Sequence, residues 1–167
     1  ITPENTNKPY GESPVSTAMG AYFNKKAYTD PTLRRKYTRM GFWVNIRLIR
    51  YPDVLLMAAE SANEKGLMGE ASGYLEQVRA HARGTLTNVL PKGESLDQSV
   101  LREAIRHERR VELGLEPDRF YDLVRWGIAQ EVLQAAGKNY QPKNALLPLP
   151  QTEIDKSNGV LVQNPDY

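Results

Sequence analysis

A chain of 167 residues can hold one domain with a single core or form part of a larger protein, and it leaves little room for a second full domain. Its hydrophobic share of 40% and charged share of 25% are those of a folded globular protein, and 22 basic and 20 acidic side chains, interspersed to a net charge of +2, argue against the basic stripe that nucleic-acid binding requires. The absence of cysteine excludes disulfides, thiolate metal sites and cysteine nucleophiles, and no apolar run reaches the ~20 residues that span a bilayer.

The sequence opens at Ile1 without a basic and then apolar leader, so it is treated as a fragment whose start, with any targeting segment or anchor, lies upstream. Residues 1 to about 40 carry Pro3, Pro9, Pro14 and Pro31 with Gly11 and Gly20 and hold no period, which predicts a loop-rich N-terminal segment. Gly41 to Arg50 alternates in part and suits a short extended stretch. Pro52 stands where a first helical turn tolerates proline. Val54, Leu55, Ala58, Ala59 and Ala62 then recur at helical spacing, predicting a first helix over about 52–65 that ends at Gly66. Ala71, Leu75, Val78 and Ala82 predict a second helix over about 69–82, with Gly84 as its cap. Two helices on a short glycine-bearing turn make an antiparallel hairpin, the form of one tetratricopeptide-like repeat. A lone repeat cannot bury its own face, so its fellow repeats are expected upstream.

Residues 84–96 read as a loop. Asp97 or Ser99 can cap a third helix in which Leu101, Ile105, Glu108, Arg109, Glu112 and Leu113 follow at spacings of three and four up to Gly114. After Pro117, Asp118 can cap a further helix whose apolar face, Phe120, Leu123, Val124 and Ile128, runs to about Ala136. Beyond Gly137 the prolines return, and Leu146 to Pro150 predicts an extended strip packed over the helices.

Two readings compete for the charged run from Glu108 to Gly127. Glu108, Glu112 and Asp122 could supply the two carboxylates of a glycosidase. The alternative is a structural charge network of Glu108, Arg109, Glu112, Arg119, Asp122 and Arg125. Arg109 to Glu112, Arg119 to Asp122 and Asp122 to Arg125 all lie three apart, where opposite charges meet on a helix. A carboxylate held by arginine stays ionised, the wrong direction for a general acid, so the structural reading prevails. His81 and His107 lack a second ligand at metal spacing, and no phosphate loop, nucleophile elbow or dinucleotide fingerprint is present; no metal, no cofactor and no catalytic residue is expected. Tyr37, Phe42 and Trp43 cluster before the first helix and are the candidate ligand-binding aromatics, although packing on the hairpin is the blander role for them. Trp126 is expected in the core.

Arg50-Tyr51-Pro52-Asp53-Val54-Leu55-Leu56-Met57-Ala58-Ala59-Glu60 resembles the R-Y-A-D-V-L-L-M-Y-A-E signature of SusD/RagB proteins. Ile105 to Trp126 is similar to the I-x-x-E-R-R-x-E-L-x-x-E-G-x-R-x-x-D-L-x-R-W segment of that family. Leu147 to Glu153 resembles its P-I-P-x-x-E-I motif, and Gln163-Asn164-Pro165-Asp166-Tyr167 its terminal Q-N-P-G-Y, which implies the natural C-terminus. The blocks keep family order across about 50–167. The resemblance implies a mainly α SusD-like fold: a tetratricopeptide-like hairpin plus further helices and long loops, with residues 1–44 a loop-rich segment ending an upstream region and 45–167 the C-terminal domain. It implies a non-catalytic, surface-exposed outer-membrane lipoprotein of Bacteroidetes-type bacteria, held to the membrane only through an N-terminal lipid anchor absent from this chain. It further implies binding of polysaccharide, oligosaccharide or another nutrient and partnership with a SusC-like TonB-dependent transporter. A helical repeat scaffold for protein–protein interaction is the alternative. Pro52 replaces the family alanine, and Pro117 stands where the family has glycine, which should hold that turn at negative φ.

Overall fold

A computed structural model describes residues 47–86 and 97–167, together with Asn24, Lys26 and Asn45. The expectations for the N-terminal segment, most of the 41–50 stretch, the greater part of the 84–96 loop, and Tyr37, Phe42 and Trp43 fall outside these residues. Among the described residues the regular structure is helical: α1 is Tyr51–Glu64, α2 Met68–Arg83, α3 Gln98–Glu112, α4 Asp118–Arg125, α5 Ala129–Ala135 and α6 Gln151–Lys156, with a 3₁₀ turn at Pro142–Ala145. This is a mainly α fold.

Helix α1 starts at Arg50, whose backbone is still extended, and carries proline in its first turn, where no amide hydrogen is needed. It ends in a reversal set by Gly66, at φ +77°: the Gly66 amide returns to the Asn63 carbonyl at 3.0 Å and the Leu67 amide to the Ala62 carbonyl at 2.9 Å. That double return satisfies carbonyls the helix end would leave bare, and it turns the chain directly into α2. Helix α3 is capped by Asp97, whose carboxylate accepts from the amides of Ser99 at 2.8 Å and Val100 at 3.0 Å.

The predicted hairpin is present, and α3 closes it into a three-helix unit. Leu55, Leu56, Ala59 and Ala62 of α1 meet Ala71, Leu75 and Val78 of α2 and Leu101 and Ile105 of α3. Leu56, Leu75, Leu101 and Ile105 are fully buried, each contributing roughly 1.5–3 kcal/mol of transfer free energy. The alanines let the helix axes approach. A reciprocal amide pair fixes where α3 begins: the Asn63 side chain donates to the Gln98 carbonyl at 3.1 Å, and the Gln98 side chain to the Asn63 carbonyl at 2.6 Å.

The single helix predicted from Asp118 to Ala136 is two helices. Gly127 adopts φ +71°, its amide bonds the Val124 carbonyl, and the Ile128 amide reaches the Leu123 carbonyl, the same double return that ends α1. The apolar period runs across the break because Leu123, Val124, Ile128, Ala129, Val132 and Leu133 gather with Tyr140 into one small second cluster.

The tail also differs from expectation. Leu146 and Leu147 are exposed rather than laid over the helices, and α6 follows them where more loop was expected. The strip is instead clasped by the chain's last residues. The Gln163 side chain accepts from the Leu149 amide at 2.8 Å and donates to the Leu149 carbonyl at 2.9 Å, copying the exchange one strand offers another. Asn164 donates to the Leu147 carbonyl and the Tyr167 hydroxyl to the Leu146 carbonyl. Asp166, at the glycine position of the family motif, holds φ +67°.

Candidate functional site

The run from Glu108 to Gly127 folds into the end of α3, a turn and α4, and its charges reach across helices rather than along them. Arg109 sends Nε to Asp122 Oδ2 at 2.8 Å and Nη1 to Asp53 Oδ1 at 2.9 Å, joining α3 to both α4 and α1. All three groups are buried. The expected Arg109–Glu112 pair does not form: Glu112, three residues on at the end of α3, points to the start of α1 and accepts from Arg50 Nη1 at 2.9 Å. Arg50 also holds Glu116 through Nε at 2.9 Å and Nη2 at 2.8 Å, and Lys26 donates to Glu116 at 2.6 Å and to the Glu112 carbonyl at 2.5 Å. Two cations thus crown the C-terminus of α3, where the helix dipole favours them.

Glu108 is buried against α2, accepting from Arg79 Nε at 2.7 Å. Asp122 is shared. Arg109 occupies Oδ2, and Arg125 donates to Oδ1 from Nε at 3.0 Å and Nη2 at 2.8 Å. With both oxygens taken, the expected Arg119–Asp122 pair does not form. Arg125 then grips Glu60 of α1 with two bonds of 2.6 and 2.7 Å, and the Trp126 indole donates to the same carboxylate at 2.7 Å. Burial by itself would raise the Glu60 pKa, but the hydrogen bonds from Arg125 and Trp126 outweigh it and hold the group below its ordinary value. Glu116 is likewise held low, with Arg50 and Lys26 overcoming its burial.

Trp126 is half-buried at the end of α4 and not in the apolar core expected for it. The guanidinium carbons of Arg125, Arg106 and Arg119 lie 4.9, 5.0 and 5.9 Å from its ring centre. Such cation–π contacts suit a ring that is apolar on its face and donates at its edge.

Glu108, Glu112, Glu116 and Asp122 are therefore all engaged by cations, so none of them stands free as a proton donor. Among the described residues no group of three or more histidine or acidic side chains is arranged to hold a metal ion. Six charged partners in this network, Lys26, Arg50, Asp53, Glu60, Arg79 and Glu116, were missed by reasoning from spacing. The available signal was that Glu108 and Arg109 interrupt the apolar face of α3, where an ionised group must meet a counter-charge from another element.

Among the described residues, a mainly helical frame is cross-linked by buried arginine–carboxylate pairs. The sequence model of the SusD family matches residues 2–146, and the chain belongs to that family. Among its relatives, a SusD-like protein of Formosa agariphila is 40% identical over 153 residues, covering 87% of this chain and 27% of its own length. A second SusD-like protein of that organism is 36% identical over 127 residues, covering 71% of this chain and 25% of its own. The chain thus spans about a quarter of the length of the curated relatives it matches. No solved structure matches it.

Proposed function

We propose that this chain is the scaffold part of a non-catalytic protein that captures glycan or oligosaccharide at the outer-membrane surface. The captured nutrient passes to a SusC-like TonB-dependent transporter, and a lipid anchor in a segment outside this chain holds the protein to the membrane. Membership of the SusD family supports the reading, and one structural observation carries it. The carboxylates of the Glu108–Asp122 run that could have served as acid and base are held by Arg50, Arg79, Arg109 and Arg125, which makes them fasteners between helices. No helix among the described residues is long and apolar enough to cross a membrane. Tyr37, Phe42 and Trp43 remain the proposed ligand aromatics, at the junction of the 1–44 segment with the 45–167 domain.

Affinity electrophoresis of the intact protein in gels containing individual polysaccharides tests the reading. Retardation by at least one glycan is expected, weakened by Trp43→Ala, with no release of reducing sugar by wild type or Glu112→Gln. Hydrolysis that disappears in Glu112→Gln would overturn it. A second reading, a helical scaffold that binds protein, is favoured by the solvent-facing Leu147, Val160 and Val162 of the tail. It gains if no glycan retards the protein while a transporter subunit co-purifies.

A further inference from the structure

Two short pieces of chain, one on either side of residues 27–46, converge on the turn between α3 and α4. From upstream, the Asn24 side chain donates to the Leu115 carbonyl at 3.0 Å, and Lys26 Nζ reaches the Glu112 carbonyl at 2.5 Å, the Gly114 carbonyl at 3.2 Å and Glu116 Oε1 at 2.6 Å. From downstream, Arg50 donates to the same Glu116 Oε1 through Nη2 at 2.8 Å, to Glu116 Oε2 through Nε at 2.9 Å and to the Glu112 carbonyl at 3.0 Å. Arg47 completes the arrangement by donating to the Lys26 carbonyl, 21 positions back. One carboxylate, Glu116, its side chain only 16% exposed, thus receives a cation from each side.

These bonds lie outside the apolar core. None of Asn24, Lys26, Arg47, Arg50 and Glu116 belongs to the cluster that packs α1, α2 and α3, and α1 is already joined to α3 by the buried Asp53–Arg109 pair at 2.9 Å. What they fix is the separation of Lys26 and Arg47. A long connection held at both ends gives up less conformational entropy on binding than one held at a single end, because its closure is already made. Lys26 and Arg47 are exposed and Asn24, Arg50 and Glu116 half-buried, so the anchor can be altered without opening the helix interface.

We propose that Glu116, through Lys26 and Arg50, is a positioning residue for ligand binding: it anchors to the helical scaffold both ends of the stretch that carries Tyr37, Phe42 and Trp43. The inference rests on the glycan-binding reading above and names the part of the scaffold on which that binding depends. Ammonium and guanidinium groups on one carboxylate make charge-assisted bonds, roughly twice as strong as neutral ones, and the planar Arg50 fork fixes direction as well as distance. Glu116 itself need not touch the sugar.

Affinity electrophoresis of the intact protein in gels containing starch, xylan, pectin or laminarin, then calorimetric titration with oligosaccharides of the one that retards it, tests the anchor. Lys26→Met and Glu116→Gln should each lose about tenfold in affinity, and Lys26→Met, at an exposed position, should keep the wild-type Tm. Lys26→Arg retains the charge and should keep most of the affinity. Arg102→Met, which breaks the separate Arg102–Glu64 pair at 2.6 Å, should change nothing. In a Trp43→Ala background Lys26→Met should cost little more, since a positioning residue acts through the group it positions. Equal affinity in wild type, Lys26→Met and Glu116→Gln overturns the anchor and leaves the glycan reading standing. Losses that simply add to that of Trp43→Ala overturn it as well. If no polysaccharide retards the wild type, the anchor falls together with the glycan reading.

Discussion

Replacing Arg109 with methionine keeps the length of the side chain and removes the one group that ties α3 to both α1 and α4. Arg109 is 5% exposed, Asp122 3% and Asp53 8%, so water cannot take over the lost hydrogen bonds without opening the helix interface. Breaking a buried pair by deleting one partner costs roughly 3–5 kcal/mol. Asp122 retains both bonds from Arg125 and is not left bare, whereas Asp53 loses its guanidinium. The expected loss for Arg109→Met therefore lies near the lower end, about 3 kcal/mol. That is a large part of the ~5–15 kcal/mol that stabilises a domain, and for a chain of this size it lowers Tm by about 6–12 °C. Urea unfolding followed by circular dichroism would show a lower midpoint at an unchanged slope. Adding Asp53→Asn should restore about 1–2 kcal/mol, because the neutral amide no longer needs a cation. A midpoint for Arg109→Met within ~1 kcal/mol of wild type would refute the reasoning and mean that the triad is hydrated.

Three further outcomes are expected. Leu115 is largely exposed and holds φ +66°, so Leu115→Gly should raise stability by about 1 kcal/mol in the same urea assay, and a decrease would contradict the strain. Glu60 and Glu116 have folded pKa values below their ordinary 4.5, so their contribution is present above that value and lost as pH falls through the depressed ones. Unfolding midpoints should accordingly fall as the solution is acidified below about pH 4.5, with a shallower decline in Glu60→Gln and Glu116→Gln. Gln163→Ala removes the two bonds that hold Leu149. It should speed hydrogen exchange and proteolysis across residues 146–150 with little change in global Tm, and unchanged exchange would mean the clasp does not restrain the strip.

The sequence determined the mainly α character of the chain, the hairpin of α1 and α2, a cap for α3 at Asp97 or Ser99, of which the structure uses Asp97, and the negative φ of Pro117, found at −75°. These are local properties: apolar residues every three or four positions, a carboxylate before a helix and a ring that fixes one dihedral act over a few residues. It also carried the family, because the motif blocks are contiguous runs of sequence, the first on α1, the second from the end of α3 through α4, and the last two in the tail. Gly127 was present in the sequence too, but an apolar face that continues from Leu123 to Leu133 masked the break. Only the backbone reversal showed that one face is shared by two helices.

The partners of the charged run belonged to the tertiary structure. Arg109 lies three residues from Glu112 yet chooses Asp53 and Asp122, 56 and 13 residues away, because α3 turns that side chain into the interface and Glu112 toward Arg50. The i,i+3 rule describes a helix in water, where the nearest opposite charge wins by default. Once neighbouring helices remove the water, a guanidinium goes to the carboxylates buried with it, since leaving those unpaired costs more than giving up an exposed one. That same choice left Arg119 off Asp122 and 5.9 Å from the Trp126 ring centre, an arrangement that no reading of spacing alone could place.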